Sequence, residues 1–509
     1  MRLLPGGDSV ADREVCNVLR DWSEYWGMTS KLWAVCVMVC VVGGARADEP
    51  SLVELEREGI QAMGSGDYQL AEDRFREIAD RTPNSYVGAY NLASAHARQG
   101  EIEESIAALK DAIKRGFTDK LTLVRDPDLG SIRGTEDYKA LIEGWGDVIE
   151  VRRNLDLARA AKLMRKKRET RTIDDYRVQV MSAHDPVSTD QSVEELERIA
   201  RWAEEELFPN LDLVPIEDQH WVTVTLPERV GFTQWATGVF GPGVRGSITS
   251  VGGAYEHQQR RLVAQDLGAT LRHEFIHVLH WRDMSRMGQN QAAWVQEGLA
   301  SLVEDYDMVG GALVPVPSWR TNMVKRLLDV RRLPTIRELA GTDLARFTSS
   351  RPLAKYAHAR TVMMFLLSEG KLKDFYLRYA RGFSVDPTGI RALEGAMGME
   401  LDEIEAEYRA YVSGLPVVAE TGSDLGATIG VGVENGSGDG VVVTELPGGA
   451  RSRTGLRMGT VITGINGRAT RDLHELIRVL SDYEAGEEVR VSTRRGVLHT
   501  ELSITLIER

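Results

Sequence analysis

The chain has 509 residues, 42% hydrophobic and 27% charged, with a formal net charge of −14. That length accommodates three or so domains, and the composition is that of a globular protein. The acidic balance argues against general nucleic-acid binding. At the N-terminus, residues 31–47 read as a basic Lys31, an apolar run from Leu32 to Val42, and Ala45-Arg46-Ala47. This is the pattern of a cleavable export signal, and the run is short for a bilayer span. Residues 1–47 are therefore expected to be a leader cleaved after Ala47, giving a periplasmic or extracellular protein. If the leader is kept, residues 32–42 become a membrane anchor. The first 27 residues carry Asp8, Asp12, Glu14, Asp21 and Glu24, unusual ahead of such a signal, so Met28 is the expected true start. Cys16, Cys36 and Cys40 all precede Ala47, and the exported chain would form no disulfide.

Residues 50–149 hold a repeat of thirty-four residues. Gly59 recurs as Ala93, Gly66-Asp67 as Gly100-Glu101, Ala71 as Ser105 and Phe75 as Leu109, and Pro83 closes the first unit. Small residues at matched positions let paired helices approach, and the larger ones fill the gap between units. The pattern resembles the tetratricopeptide (TPR) repeat, with two clear copies and a degraded third as a cap. The resemblance implies a helical array with a surface for a protein partner, or a spacer.

Residues 150–175 are strongly basic around Arg165-Lys166-Lys167-Arg168. They read as a solvated helical linker, with contact to an anionic surface as the alternative. A third region, 176–415, opens with a strand near Tyr176–Val180, a helix over about 193–207 and an alternating strand at Trp221–Leu226. A helix is expected over about 266–281, and further helices over 324–339 (broken at Pro334), 352–380 and 400–412. Strands first and helices later suggest an α+β unit.

The chemistry concentrates in His273-Glu274-Phe275-Ile276-His277 and in Trp294-Val295-Gln296-Glu297-Gly298-Leu299-Ala300. Histidines four apart on a helix stand about 40° around and about 6 Å along the axis, so both imidazoles can reach one ion. Glu297, twenty residues on, is the third ligand, and two His with one Glu leave a position open. One Zn²⁺ per chain is the expected cofactor. It would acidify a water, and Glu274 would take that water's proton and return it to a leaving amine. His273, Glu274, His277 and Glu297 resemble the gluzincin metallopeptidases. The W-V-Q-E-G-L-A stretch is similar to the aminopeptidase N pattern, and the interval before Glu297 to that of thermolysin. The resemblance implies zinc, peptide-bond hydrolysis and an α+β catalytic domain over 176–415.

Several further residues bear on that reading. Gluzincin-like enzymes often aim a Tyr or His at the oxyanion. Tyr356, in Lys355–Arg360, resembles that donor, with His358 as its rival. His280 reads as a buried histidine without metal contact. Gly252–Tyr255 is either an edge strand for an extended substrate or an ordinary turn. Thermolysin-like relatives place a carboxylate soon after the third ligand, but here Ser301 stands four residues on, leaving Glu304 or Asp305 to orient a histidine.

Residues 417–509 are glycine-rich and β-branched, with Pro447–Ala450, Gly455–Gly459, Val461–Gly467 and a helix from Asp472 to Leu480. Asn466-Gly467 signals a tight hairpin. The segment resembles a bacterial PDZ domain, with Thr460 where an Asp is usual. The resemblance assigns a peptide-terminus-binding loop to Leu425, Gly426, Ala427 and Thr428, with strand addition alongside. Ile429, Leu473, Leu476 and Leu480 are groove or core residues.

Together these readings describe a multidomain chain: TPR-like α-helical repeats, an α+β gluzincin-like unit and a small, mostly β PDZ domain. The expected function is an exported zinc metallopeptidase acting on peptide or protein substrates. Two alternatives stand beside it: an aminopeptidase of the same fold, with Glu256 as candidate anchor for a substrate amine, and a non-catalytic zinc-stabilised scaffold.

Overall fold

A computed structural model describes residues 50–165, 168–208, 219–241 and 252–509. The leader reading, its cysteines and the Met28 start lie outside these residues, as do Lys166 and Lys167. No helix among the described residues is long and apolar enough to cross a membrane.

Four helices come first, α1 (Leu52–Ser65), α2 (Tyr68–Arg81), α3 (Val87–Gln99) and α4 (Ile102–Arg115), followed by α5 (Lys120–Arg125), α6 (Glu136–Glu143) and α7 (Trp145–Ala161). Ser51 and Glu54 cap α1 reciprocally, which answers two of the amide donors its first turn leaves unpaired. Ala71, Ala93 and Ser105, the small residues of the repeat, are fully buried, and Ser105 Oγ donates to the Ala93 carbonyl at 2.7 Å. Phe117 stands edge-on to Tyr86 and Trp145, joining the later helices to the first core.

The basic stretch is not a free linker. Helix α7 puts Trp145 and Ile149 in the first core, and strand β1 (Glu169–Ile173) joins the central sheet. Arg171 on β1 pairs with Asp190 and Glu169, so part of the basic charge is neutralised within the fold.

The central unit continues with β2 (Val178–Ser182), α8 (Pro186–Glu206), β3 (Val222–Leu226), α9 (Arg229–Phe240), β4 (Gly253–Glu256) and β5 (Arg261–Ala264). The sheet order is β1-β2-β3-β5-β4. Its middle strands β2, β3 and β5 are parallel, with β1 and β4 antiparallel at the edges. The simple strands-then-helices expectation thus gives way to a mixed sheet. A parallel step from β2 to β3 needs a long crossover, and the 21-residue α8 supplies it. A helical run does follow. It comprises α10 (Ala269–Met287), α11 (Ala293–Leu302), the hairpin β6 (Tyr306–Val309) and β7 (Ala312–Pro315), then α12 (Trp319–Asp329), α13 (Ile336–Ala340), α14 (Leu344–Ser349), α15 (Pro352–Ser368), α16 (Leu372–Gly382), α17 (Ile390–Met397) and α18 (Leu401–Gly414).

The C-terminal unit has its own core, built on β8 (Ala427–Thr428), β9 (Gly432–Asn435), β10 (Val441–Glu445), α19 (Ala450–Thr454), β11 (Val461–Ile465), β12 (Arg468–Ala469), α20 (Leu473–Leu480), β13 (Glu488–Arg495), β14 (Leu498–Thr505) and β15 (Ile507–Glu508). Asn466 and Gly467 both take positive φ, 49° and 81°, and turn β11 into β12. Ile429, Leu476 and Leu480 are core residues and Leu473 is half-buried against them. Ala427 and Thr428, assigned above to a binding loop, form a ladder with β15. The sheet runs β14-β13-β11-β10-β9, so its two edge strands are β14 and β9. Among the described residues the chain is a multidomain α/β architecture with three large hydrophobic cores and a small fourth cluster around Phe232 and Trp235.

Candidate metal centre

Helix α10 lies over the sheet with Phe275, Ile276, Val278 and Leu279 in the core, which fixes the face carrying His273 and His277. Their Nε2 atoms are 3.1 Å apart. Glu297 reaches in from α11, its Oε2 3.2 Å from His273 Nε2 and 3.4 Å from His277 Nε2. The position of α11 is set by its neighbours. Trp294 is buried and donates to the Thr388 carbonyl at 2.8 Å. Gly298 lets α15 approach: a Cβ there would sit 2.8 Å from Met363 Cγ and 2.9 Å from the Ala359 carbonyl. The glycine of the second motif is thus a packing requirement next to Glu297.

Three donor atoms converging at 3.1–3.4 Å suit one small cation. Ligands at about 2.0–2.1 Å from a tetrahedral ion are separated by about 3.3–3.4 Å. The donor set, two imidazoles and a carboxylate, fits zinc chemically.

A second ring of contacts orients these side chains. His273 Nδ1 meets Glu304 Oε1 at 2.8 Å. Arg320 grips Glu304 with two bonds, Nη2 to Oε1 at 2.8 Å and Nε to Oε2. Of the two acids offered as the orienting carboxylate, Glu304 takes the position. The carbonyl of Asp305 instead accepts from Arg360 at 3.0 Å. Arg272, next to His273, holds the same segment through the Val303 carbonyl at 2.9 Å and the Glu304 carbonyl at 2.6 Å.

The charges follow from these contacts. Burial opposes protonation of His273, but bonds and charges from Glu297 and Glu304 outweigh it and raise its pKa to about 10. Burial likewise pushes Glu304 up, and Arg320 and His273 bring it down to about 2. Glu297 is held well below the usual carboxylate range against its burial, by the charge of His277 and hydrogen bonds from both histidines.

Glu274 lies beside the ligands. Burial raises its pKa, opposed by His277 and His273, and its carboxyl accepts the Tyr255 backbone N–H of β4. Gly253–Glu256 is the edge strand of the sheet. Glu256 at its end is engaged by Trp235 Nε1 at 3.1 Å and Arg261 Nε at 2.7 Å.

Tyr356 and His358 point apart, as residues two apart on a helix must. The Tyr356 ring centroid lies 6.1 Å from that of His273, and burial with the charges of Glu297 and Glu274 keeps its hydroxyl protonated. His358 faces the other way, stacked on Tyr408 at 5.6 Å with neither nitrogen hydrogen-bonded. Burial lowers its pKa to about 3, and it packs between α15 and α18, on the side away from His273. His280 stacks on Phe208 and bonds Gln291 at 2.8 Å, away from the trio.

Sequence reading missed Arg272 and Arg320. No local pattern marks an arginine whose acceptors lie 31 or 16 residues away.

No family model matches the chain. A chloroplastic protein of Arabidopsis thaliana is 30% identical over 94 residues, which cover 18% of this chain. The chain spans 28% of the length of that protein. A crystal structure of an aminopeptidase N family protein from Idiomarina loihiensis aligns over 67% of each chain at 14% identity, with a TM-score of 0.29. That superposition is too loose to support a statement about this chain.

Proposed function

We propose that the protein is a zinc-dependent peptidase. The observation that carries the reading is the convergence of His273, His277 and Glu297 with a partly buried carboxyl, Glu274, beside them. A structural zinc site uses a closed ligand set and has no need of such a neighbour. When bound, zinc in this donor set supplies Lewis acidity to a carbonyl oxygen and lowers the pKa of a water. Glu274, its pKa raised by burial, accepts a proton from the attacking water and delivers it to the leaving amine. Tyr356, neutral and close to His273, donates a hydrogen bond to the oxygen on which charge develops. Glu304, held by Arg320, fixes the His273 ring and its tautomer. The edge strand β4 gives an extended substrate main-chain partners next to Glu274.

An aminopeptidase is the second reading, favoured by Glu256 at the end of that edge strand. Its carboxylate would have to exchange Trp235 or Arg261 for a substrate amine. An N-blocked peptide separates the two, since only an endopeptidase cleaves it.

The flanking units are proposed to bind protein segments. The helical array offers a TPR-like surface. In the C-terminal, PDZ-like unit an extended peptide would add to β9, the edge strand that lies beside α20. Export by a leader cleaved near Ala47 remains part of the proposal.

The deciding experiment measures zinc content and peptide cleavage of the purified chain and of Glu274→Gln. One zinc in both proteins, with cleavage only in the wild type, supports the assignment. Equal turnover in both overturns the role of Glu274. Zinc without cleavage of a diverse peptide pool favours a zinc-stabilised scaffold.

A further inference from the structure

The C-terminal unit docks directly behind the metal ligands, and the contact is built from buried charge. Arg272, the residue before His273, is 4% exposed, and Glu475 on α20 is 3% exposed. Their Nη2 and Oε1 atoms are 2.5 Å apart. The remaining donors of Arg272 meet Glu195 at 3.2 Å and the carbonyls of Val303 and Glu304. The other Glu475 oxygen accepts the Arg471 backbone N–H at 2.7 Å. One guanidinium therefore joins a helix of the C-terminal unit to the residue that orients His273.

A second path runs from the same turn of α20. His474 stacks on Trp319 at 6.3 Å, and the next residue, Arg320, grips the Glu304 side chain. The Glu304 backbone thus reaches α20 through Arg272, and its side chain through Arg320 and the adjacent Trp319. The close seating depends on Gly268, the residue before α10. A Cβ there would stand 2.9 Å from Arg471 Cβ. The Leu267 N–H donates to the Gly438 carbonyl at 2.8 Å, which pins the seam at the start of the metal helix.

We infer that Glu475 is a positioning residue for the metal centre, acting through Arg272, so that the C-terminal unit is a working part of the site. The inference rests on reading His273, His277 and Glu297 as metal ligands. Without the Glu475 charge, Arg272 keeps Glu195 as its one carboxylate partner. The guanidinium then shifts toward Glu195 and draws the Val303 and Glu304 carbonyls with it. Glu304 loses its alignment on His273 Nδ1, and the imidazole loses its fixed orientation.

The test uses the full chain and a control at the same seam. His499 pairs with Asp185 at 2.7 Å and touches neither Arg272 nor Glu304. Zinc affinity is read by chelator competition, with kcat and KM measured separately. Glu475→Gln is expected to weaken zinc about tenfold or more and to lower kcat more than it changes KM. Glu475→Asp, which keeps the charge, should recover part of both. His499→Ala should leave zinc affinity unchanged. Wild-type zinc affinity in Glu475→Gln, or an equal loss in His499→Ala, overturns the inference. Circular dichroism checks folding, and if Glu475→Gln does not fold, an intermediate loss in Glu475→Asp decides in its favour and none decides against. A wild-type protein that binds zinc and cleaves nothing removes the peptidase reading, while the affinity series still judges Glu475.

Discussion

Among the described residues, two groups of histidine and carboxylate bring their oxygens and nitrogens within 4.8 Å of one another: His273, His277 and Glu297 in the central unit, and Glu72, His96 and Glu101 among the N-terminal helices. Proximity is similar and chemistry is not. In the N-terminal group one imidazole serves, and His96 Nδ1 is already bonded to Glu101 at 2.5 Å. Glu72 is shared among Arg76, Gln69 and Gln99, and Glu101 is 42% exposed. Those contacts tie neighbouring helices together. In the central group two ring nitrogens and one carboxylate face only each other, and the polar partners, Glu304 and Arg320, bond behind them. A cluster becomes a metal centre when its charge is left unanswered on the inner side and supported on the outer side.

The largest effect should come from the ligands themselves. His277→Ala is expected to lose stoichiometric zinc and cleavage together, while His96→Ala keeps one zinc per chain by elemental analysis. Zinc loss in both variants would erase the distinction. Glu274→Gln should come next, lowering cleavage by about 10²–10⁴-fold with zinc content unchanged. Loss of zinc in that variant would mean Glu274 is a ligand. Arg320→Leu should then weaken zinc by about 10–100-fold, because it releases the carboxylate that aims His273. An unchanged affinity by chelator competition would reduce the outer support to packing.

The smallest effect concerns pH and sets the buried histidines against one another. His273 has carboxylates and is raised to about 10, so in the metal-free chain it stabilises the fold below pH 6.5 and that contribution fades as pH rises toward 10. His280 and His358 have no carboxylate bonded to them and are lowered to about 3 by burial. They stay neutral in the fold while the unfolded chain protonates, so stability is lost as pH falls from 6.5 toward 3. His358→Phe should show a smaller drop in melting temperature between pH 7 and 4 than wild type. An identical drop would mean that His358 is not held neutral in the fold.

The Glu297 motif illustrates how sequence and structure divide the work. Helical spacing put His273 and His277 on one face, because four residues make slightly more than a turn. The choice between Glu304 and Asp305 was open, and so was that between Tyr356 and His358. The first pair depends on how the chain leaves α11, the second on which neighbour faces each side of α15. Glycine at 298 looked like part of a motif, and the packing of α15 gives its reason. The export leader rests on its sequence pattern alone.

What the sequence determined by itself is therefore local. It includes the placing of His273, Glu274 and His277 on one helix, the small residues of the helical repeat, the Asn466-Gly467 turn and the last central helix near 401–412, each set by periodicity or backbone preference within a few residues. What only the tertiary structure decided is the company those residues keep. The parallel centre of the sheet, Glu304 behind His273, Arg320 behind Glu304, and Glu475 against Arg272 join positions up to 203 residues apart. Buried charge has to find a partner wherever the fold brings one, and no local pattern encodes that meeting.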